Sequence, residues 1–313
     1  LRFLQMIGRM WPMDTIAPAI AALAAANIEL LTDEPMSRHT TFKIGGPADI
    51  VCFPHSPEQF LHALAIAEAH RLPRFFLGRG SNVLFGDAGY RGLVICLERM
   101  NHITVAGTRI HAGAGAELLA VCHAARDAAL AGLEFACGIP GSVGGAVYMN
   151  AGAFDGEVNL VLEHVRYVNE MREIITAPAC QLALSYRASI FQHRPWCVLE
   201  ATFRLERGDR DAIAARMDAI MQKRSDKQPL DKPSAGSAFK RPAGAFASAL
   251  IDETGLRGYR VGGAAISEKH CGFIVNLGGA TCADVLALAD QVAEKVYGHT
   301  GYRLEKEFRV VGE

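Results

Sequence analysis

The sequence predicts an α+β protein in two parts: a larger β-rich part and, beyond residues 207–209, a smaller α+β module. Three observations point there. Between Ala48 and Leu77, apolar segments set apart by punctuating residues read as strand, helix, strand, the order of a small βαβ unit. A strand signal with partial apolar/polar alternation returns from Val161 to Leu205 and is clearest in Val198–Leu205. After Asp209, helical and strand-like segments alternate to the end of the chain.

Taken in order, residues Leu1–Pro12 begin without Met and lack both a hydrophobic region and a cleavage site. They read as a leader or upstream segment with Met13 as the start, which divides the chain into 1–12, 13–208 and 209–313. The apolar run Ile16–Leu31 is broken by Pro18 and reads as an Ala-rich helix. Thr40–Ile44 reads as a strand ended by Gly45-Gly46-Pro47, and Ala48–Phe53 as a second. Ser56 followed by Pro57 is a helix start, with Ser as N-cap and Pro at the first helical position. That helix extends to His70, and a short strand, Phe75–Leu77, stops at Gly78.

A Gly-punctuated strand region follows from Leu93 to Gly115, then an Ala-rich helix over Glu117–Leu130. Gly138–Gly156 reads as a loop held close to something. In the second part, Asp209 caps a helix running to about Arg224, and Lys227–Pro242 is an ordered loop or linker rich in Pro. Beyond it come a helix over Phe246–Thr254 stopped by Gly255, and strands near Val261–Ala265 and Phe273–Asn276. A helix then opens at the capping box Thr281-x-x-Asp284, and a strand over Leu304–Val311 closes the chain.

The formal net charge of -1 over 313 residues gives no global pull toward nucleic acid or acidic membranes. No segment approaches the ~20 uninterrupted apolar residues that a membrane-spanning helix requires. The eight cysteines are scattered without a Cys-x-x-Cys pair, so reduced, mostly buried thiols in a cytoplasmic protein are expected, and no metal site.

Five segments carry chemistry. Gly78-Arg79-Gly80-Ser81-Asn82-Val83-Leu84 follows a strand, and its N–H groups suit either an anion or a plain tight turn. A dinucleotide fingerprint requires glycine where Val83 stands, so the Rossmann reading fails. Gly138-Ile139-Pro140-Gly141-Ser142-Val143-Gly144-Gly145, continuing to Asn150-Ala151-Gly152-Ala153, argues against a helix or strand and for close backbone contact with a flat or phosphorylated ligand. Ser142 and Asn150 supply its hydrogen bonds, and the interspersed apolar residues argue against a mobile loop. Arg187, beside Tyr186, is either a salt-bridged structural cation or a carboxylate binder. Ser237 lies in a Pro-flanked loop near Lys227, Lys232, Lys240 and Arg241, a cluster that is either solvated or suited to a diphosphate. Glu307 and Arg309, two apart, read locally as a surface ion pair.

Together and in this order, Thr41–Gly46, Gly80–Leu84, Gly138–Ala153, Tyr186–Phe191, Gly236–Lys240 and Glu307–Arg309 resemble the UDP-N-acetylenolpyruvoylglucosamine reductase family over residues 28–313. The resemblance implies an FAD-binding fold of the vanillyl-alcohol-oxidase type, two subdomains around FAD plus a C-terminal α+β substrate domain. It implies FAD held by Gly78, Gly80, Ser81, Asn82, Val83, Leu84, Gly138, Ile139, Pro140, Gly141, Ser142, Gly144, Gly145, Asn150, Gly152 and Ala153. Arg187, Ser237 and Glu307 match the catalytic positions, and Tyr186, Lys227, Lys240 and Arg241 are candidates for the substrate. NADPH and the small molecule UDP-N-acetylglucosamine enolpyruvate are the implied partners, and a monomer is expected. The short connection from Phe191 to Val198 resembles the subtype without a long Tyr-bearing loop, although Lys232 stands where that subtype suggests an aromatic residue.

Overall fold

The computed structural model describes residues 16–312; the reading of residues 1–12 as a leader, and of Met13 as the start, lies outside them. The first sheet has the spatial order Glu29–Pro35, Pro47–Phe53, Tyr90–Cys96, Arg74–Leu77. Its first pair is antiparallel and the other two pairs are parallel. The helix Pro57–Ala69 crosses from Pro47–Phe53 to Arg74–Leu77, and Tyr90–Cys96 is inserted between those two strands. This is the predicted βαβ unit with one added strand. Ser56 Oγ caps the helix, accepting from the Gln59 N–H at 3.3 Å.

Alternation along these strands buries both faces, as covered parallel strands require. Ile50 and Ile95 enter the large core with Leu23 of the helix Ile16–Ala25 and Phe60, while Val51 and Val94 pack on the other side with Leu77 and Phe85. The second sheet is wholly antiparallel, in the order Ile174–Pro178, Leu162–Val168, Cys197–Arg204, Arg109–Gly113, Ile103–Ala106. Ile110, Val165 and Phe203 carry it into the same large core, which the helix Leu118–Asp127 covers with Leu118 and Val121.

The helix Arg210–Lys227 starts where Asp209 accepts from the Ala212 N–H at 2.8 Å, and it sends Ile213 and Met217 into that first core. The third sheet, Ser234–Ser237, Phe273–Asn276, Ala264–Ile266, Arg260–Val261, has its own core with the helices Ala247–Glu253 and Cys282–Thr300. Thr281 and Asp284 form the predicted capping box. Four contacts fix this unit on the rest. Thr41 donates to Ser234 O at 2.7 Å, and Asn276 donates to Phe42 O at 3.2 Å. Asp87 accepts from the Cys282 and Ala283 N–H groups at 2.7 and 2.9 Å. Arg309–Val311 pairs in parallel with Val83–Phe85.

Four expectations are corrected. Thr40–Ile44 is a turn rather than a strand; Phe42 and Ile44 are buried in the C-terminal core and Lys43 has φ +57°. Its alternation reflects insertion into a neighbouring core. Gly138–Gly156 contains the helix Val143–Tyr148, with Ser142 as N-cap, so Gly144 and Gly145 are helical. The Lys227–Pro242 loop contains the strand Ser234–Ser237. The last strand is only Arg309–Val311, preceded by a single bridge from Lys306 to Phe239.

All eight cysteines are free, and only Cys180 is exposed. No helix among the described residues is long and apolar enough to cross a membrane, and no group of three or more His, Cys, Asp or Glu among them could hold a metal ion.

Candidate active site

A cleft of about 1220 Å³ is lined by both glycine-rich segments and by the C-terminal unit. That exceeds the ~300–1,000 Å³ of ordinary small-molecule sites, and leaves room for an extended ligand and a second one. The two segments form one wall by touching. A Cβ on Gly78 would lie 2.2 Å from Ser142 Oγ, and one on Gly141 would lie 3.6 Å from Ser81 Oγ. Glycine at 78 therefore lets the two segments pack against each other at the cavity wall, where a side chain would force them apart. Of the predicted cofactor positions, Gly78, Gly80, Ser81, Asn82, Val83, Ile139, Pro140, Gly141, Ser142, Gly144, Gly145, Gly152 and Ala153 line the cleft.

Three do not. Leu84 is fully buried in the C-terminal core, because the strand Val83–Phe85 turns alternate side chains away from the cavity. Gly138 lies beneath the Arg224 side chain. Asn150 is fully buried and has its amide engaged. It donates to Glu157 Oε2 at 3.2 Å and Ser185 O at 3.0 Å, and accepts from the Asn159 N–H at 3.0 Å. Asn150 thus anchors the turn that carries Arg187. Asn82 has a similar second task, donating to the Glu307 carbonyl at 3.1 Å.

Arg187, Ser237 and Glu307 all line the cleft. Arg187 sits in a tight turn closed by two hydrogen bonds between Ser185 and Ala188, of 3.0 and 3.1 Å. Its φ is +54°, a region that costs a non-glycine residue of order 1 kcal/mol. Gln192 Nε2 holds the turn by donating to Arg187 O at 2.9 Å. From there Arg187 Nε donates to Glu307 Oε1 at 2.9 Å and Nη2 to Gly152 O at 2.9 Å. Nη1 makes no hydrogen bond among the described residues. Of the two alternatives open for Arg187, the salt-bridged cation is observed, and the residue also faces the cavity.

Glu307 is not paired with Arg309. Its side chain is 13% exposed, and burial pushes its carboxyl above the ordinary glutamate value, against the pull of Arg187 and then Lys240. Ser237 is brought beside it, since the Glu307 N–H donates to Ala238 O at 2.9 Å. A bulge aims the serine: Ser234 pairs with Val275 but Ser237 with Phe273, and the intervening Gly236 has φ +74°. Among the described residues the Ser237 hydroxyl has no hydrogen-bond partner.

Lys240 and Arg241 line the cleft, and Lys240 also pairs with Glu305. Tyr186 lies just outside the lining, half exposed, its hydroxyl accepting from the Arg241 N–H at 3.2 Å. Lys227 is exposed at the helix end and does not reach the cavity. The arginines of the cleft outside the predicted site are Arg74, Arg79, Arg194, Arg224 and Arg309. Arg309 donates to the Tyr148 hydroxyl at 2.9 Å and lies 5.1 Å over the Phe75 ring. Arg224 is only 9% exposed. Its signal is its place after Ile213, Met217 and Ile220 at helical spacing, the next position of a buried stripe.

Comparison with known proteins bears on what such a cleft holds. Residues 228–311 match the family described as UDP-N-acetylenolpyruvoylglucosamine reductase, C-terminal domain, and residues 48–177 match the FAD binding domain. A UDP-N-acetylenolpyruvoylglucosamine reductase of Clostridium botulinum (strain Hall) is 46% identical over 287 residues, covering 92% of this chain and 94% of the relative. One of Caldanaerobacter subterraneus subsp. tengcongensis is 45% identical over 285 residues, covering 91% and 94%. The crystal structure of UDP-N-acetylenolpyruvylglucosamine reductase from Thermus caldophilus superposes with a TM-score of 0.78 at 35% identity, covering 91% of this chain and 98% of that one. p-Cresol methylhydroxylase superposes with a TM-score of 0.58 at 11% identity, covering 94% and 90%, a likeness of fold.

Proposed function

The chain belongs to the UDP-N-acetylenolpyruvoylglucosamine reductase family, and from that premise we propose that it reduces UDP-N-acetylglucosamine enolpyruvate to UDP-N-acetylmuramate with NADPH, in peptidoglycan synthesis. It is an FAD-dependent oxidoreductase, with the vanillyl-alcohol-oxidase type of FAD-binding fold and a C-terminal α+β unit. The observation that carries the proposal is the convergence of Arg187, Ser237 and Glu307, from three distant segments, on one cleft walled by glycine-rich backbone. We also take the protein to work as a cytoplasmic monomer.

The residues present fit FAD. The close approach of Gly78 to Ser142 joins the two segments at the cavity wall, where a diphosphate and a flat ring can lie against it. Among the described residues two polar groups of the cleft are without a partner, the Arg224 guanidinium and the buried Oε1 of Gln228. When bound, FAD supplies hydride transfer, from the nicotinamide reductant to the methylene carbon of the enolpyruvyl group.

The protein's own groups handle charge and proton. Hydride addition puts a pair of electrons on the adjacent carbon, and these spread into the enolpyruvyl carboxylate. The uncommitted Nη1 edge of Arg187 meets that growing charge, and one such preorganised donor lowers the barrier by about 3 kcal/mol. Glu307, its carboxyl raised by burial, takes part beside the same carboxylate, as a protonated acid or through a shared proton. Ser237 delivers the proton to the carbon from its free hydroxyl. Lys240 and Arg241 carry the charge that suits the substrate diphosphate.

The test is an anaerobic absorbance spectrum of the purified protein. A flavin band that bleaches with NADPH and returns only with UDP-N-acetylglucosamine enolpyruvate supports the proposal. A yellow protein that ignores the UDP-sugar, or a colourless one that FAD cannot reconstitute, refutes it.

A further inference from the structure

We infer that Arg224, supported by Gln228, holds the diphosphate of the bound dinucleotide from the face opposite the Gly78–Ser81 loop. The inference rests on the FAD reading above and assigns a residue that none of the motifs contains.

The helix Arg210–Lys227 is polar along most of its length, and its other charged side chains are solvated. Arg224 alone among them is about nine-tenths buried. Its stem crosses the backbone of the second glycine segment: a Cβ on Gly138 would lie 2.1 Å from Arg224 Cδ and 2.6 Å from its Nε. The residue lines the cleft. Among the described residues no carboxylate lies within ion-pair distance of it, and none of its side-chain nitrogens donates a hydrogen bond. Arg187, the other sheltered arginine of the cleft, has a carboxylate. Burial holds the Arg224 guanidinium below the ordinary arginine value.

A largely buried cation without a protein partner is costly. Buried charges are therefore paired or satisfied by a ligand. The ligand must be anionic, and FAD carries its negative charge on the diphosphate. The position agrees. Gly138 lies under Arg224, and three residues on, Gly141 lies against Ser81. The turn Gly138–Gly141 thus spans from the arginine to the loop whose N–H groups suit phosphate oxygens. Gln228, four residues after Arg224, also lines the cleft and has a buried Oε1 without a donor; a ribose hydroxyl of the same nucleotide supplies one. Gly138 thereby has a reason to lack a side chain although it does not itself reach the cavity.

The test compares flavins that differ in phosphate. Holoenzyme carrying Arg224→Met, Arg224→Lys or Gly138→Ala is diluted, and FAD release is followed by recovery of free-flavin fluorescence. The FAD dissociation constant rises about 10- to 100-fold in Arg224→Met, the range of a lost charge-assisted contact. It rises in Gly138→Ala as well, and less in Arg224→Lys, which keeps the charge but not the fork. Riboflavin, which has no phosphate, binds the flavin-stripped full-length wild type and Arg224→Met within twofold of each other. Equal losses for riboflavin and FAD, or FAD affinity within twofold of wild type in Arg224→Met, would overturn the inference. A wild type that binds no flavin would overturn the FAD reading beneath it.

Discussion

Replacing Ser237 by Ala separates proton delivery from every other task of the site. The hydroxyl lies at the end of the strand Ser234–Ser237, exposed, with the bulge at Gly236 setting its direction. Since no protein hydrogen bond is lost, stability stays within about 0.5 kcal/mol of wild type, as for other exposed changes away from packing. The chemistry responds differently. A positioned proton donor contributes about 10²–10⁴ in rate, which at 1.36 kcal/mol per decade is about 3–5 kcal/mol of barrier. In anaerobic stopped-flow, flavin reduction by NADPH stays within twofold of wild type, while reoxidation by the enolpyruvyl substrate slows by about that factor of 10²–10⁴. kcat falls with it and KM changes little, because the proton is given only in the transition state. Reoxidation at wild-type speed would remove Ser237 from the mechanism, and equal slowing of both half-reactions would reassign it to placing the flavin.

Two further substitutions test the electrostatics and the assembly. In Arg187→Ala the largest influence opposing burial at Glu307 is gone, so its folded-state value rises further above the unfolded one. A group raised in this way favours the fold below its unfolded value and loses that advantage as pH rises through the folded one. The variant's deficit in urea midpoint is therefore small near pH 4 and larger, by about 1–3 kcal/mol of stability, near pH 8; an equal deficit at both refutes the pairing. Asp87→Ala removes the acceptor of two N–H groups at the start of the helix Cys282–Thr300. The denaturant midpoint falls by about 1–2 kcal/mol of stability, the cost of a lost helix cap, and an unchanged midpoint shows that water replaces the carboxylate.

What could be read from the sequence was local. Ser56, Asp209 and the Thr281/Asp284 box sit where short-range chemistry alone decides a helix start, and all three cap as read. Thr40–Ile44 failed for the complementary reason. Its alternation of polar and apolar residues is that of a strand, but Phe42 and Ile44 fill a core built from residues beyond 234. The glycines at 144 and 145 argued against a helix on propensity, and burial of Val143 and Val147 beside them overrode it. The grouping of Arg187, Ser237 and Glu307 in one cleft had no local signal at all. Arg187 and Glu307 are 120 positions apart, so only the ordered set of motifs, read as a family resemblance, could bring them together.

Lys227 and Arg224 show the same limit within one turn of helix. Charge clustering selected Lys227, which lies among other cations in sequence, yet the residue that enters the cleft is Arg224. Composition counts charges; helical geometry aims them. Ile213, Met217 and Ile220 define the buried face at spacings of four and three, and a further step of four arrives at Arg224. A cation in register with an apolar stripe must be desolvated, and a desolvated cation needs an anion. The buried stripe of this helix is interrupted by charge at one position, Arg224, the residue for which we infer a ligand contact.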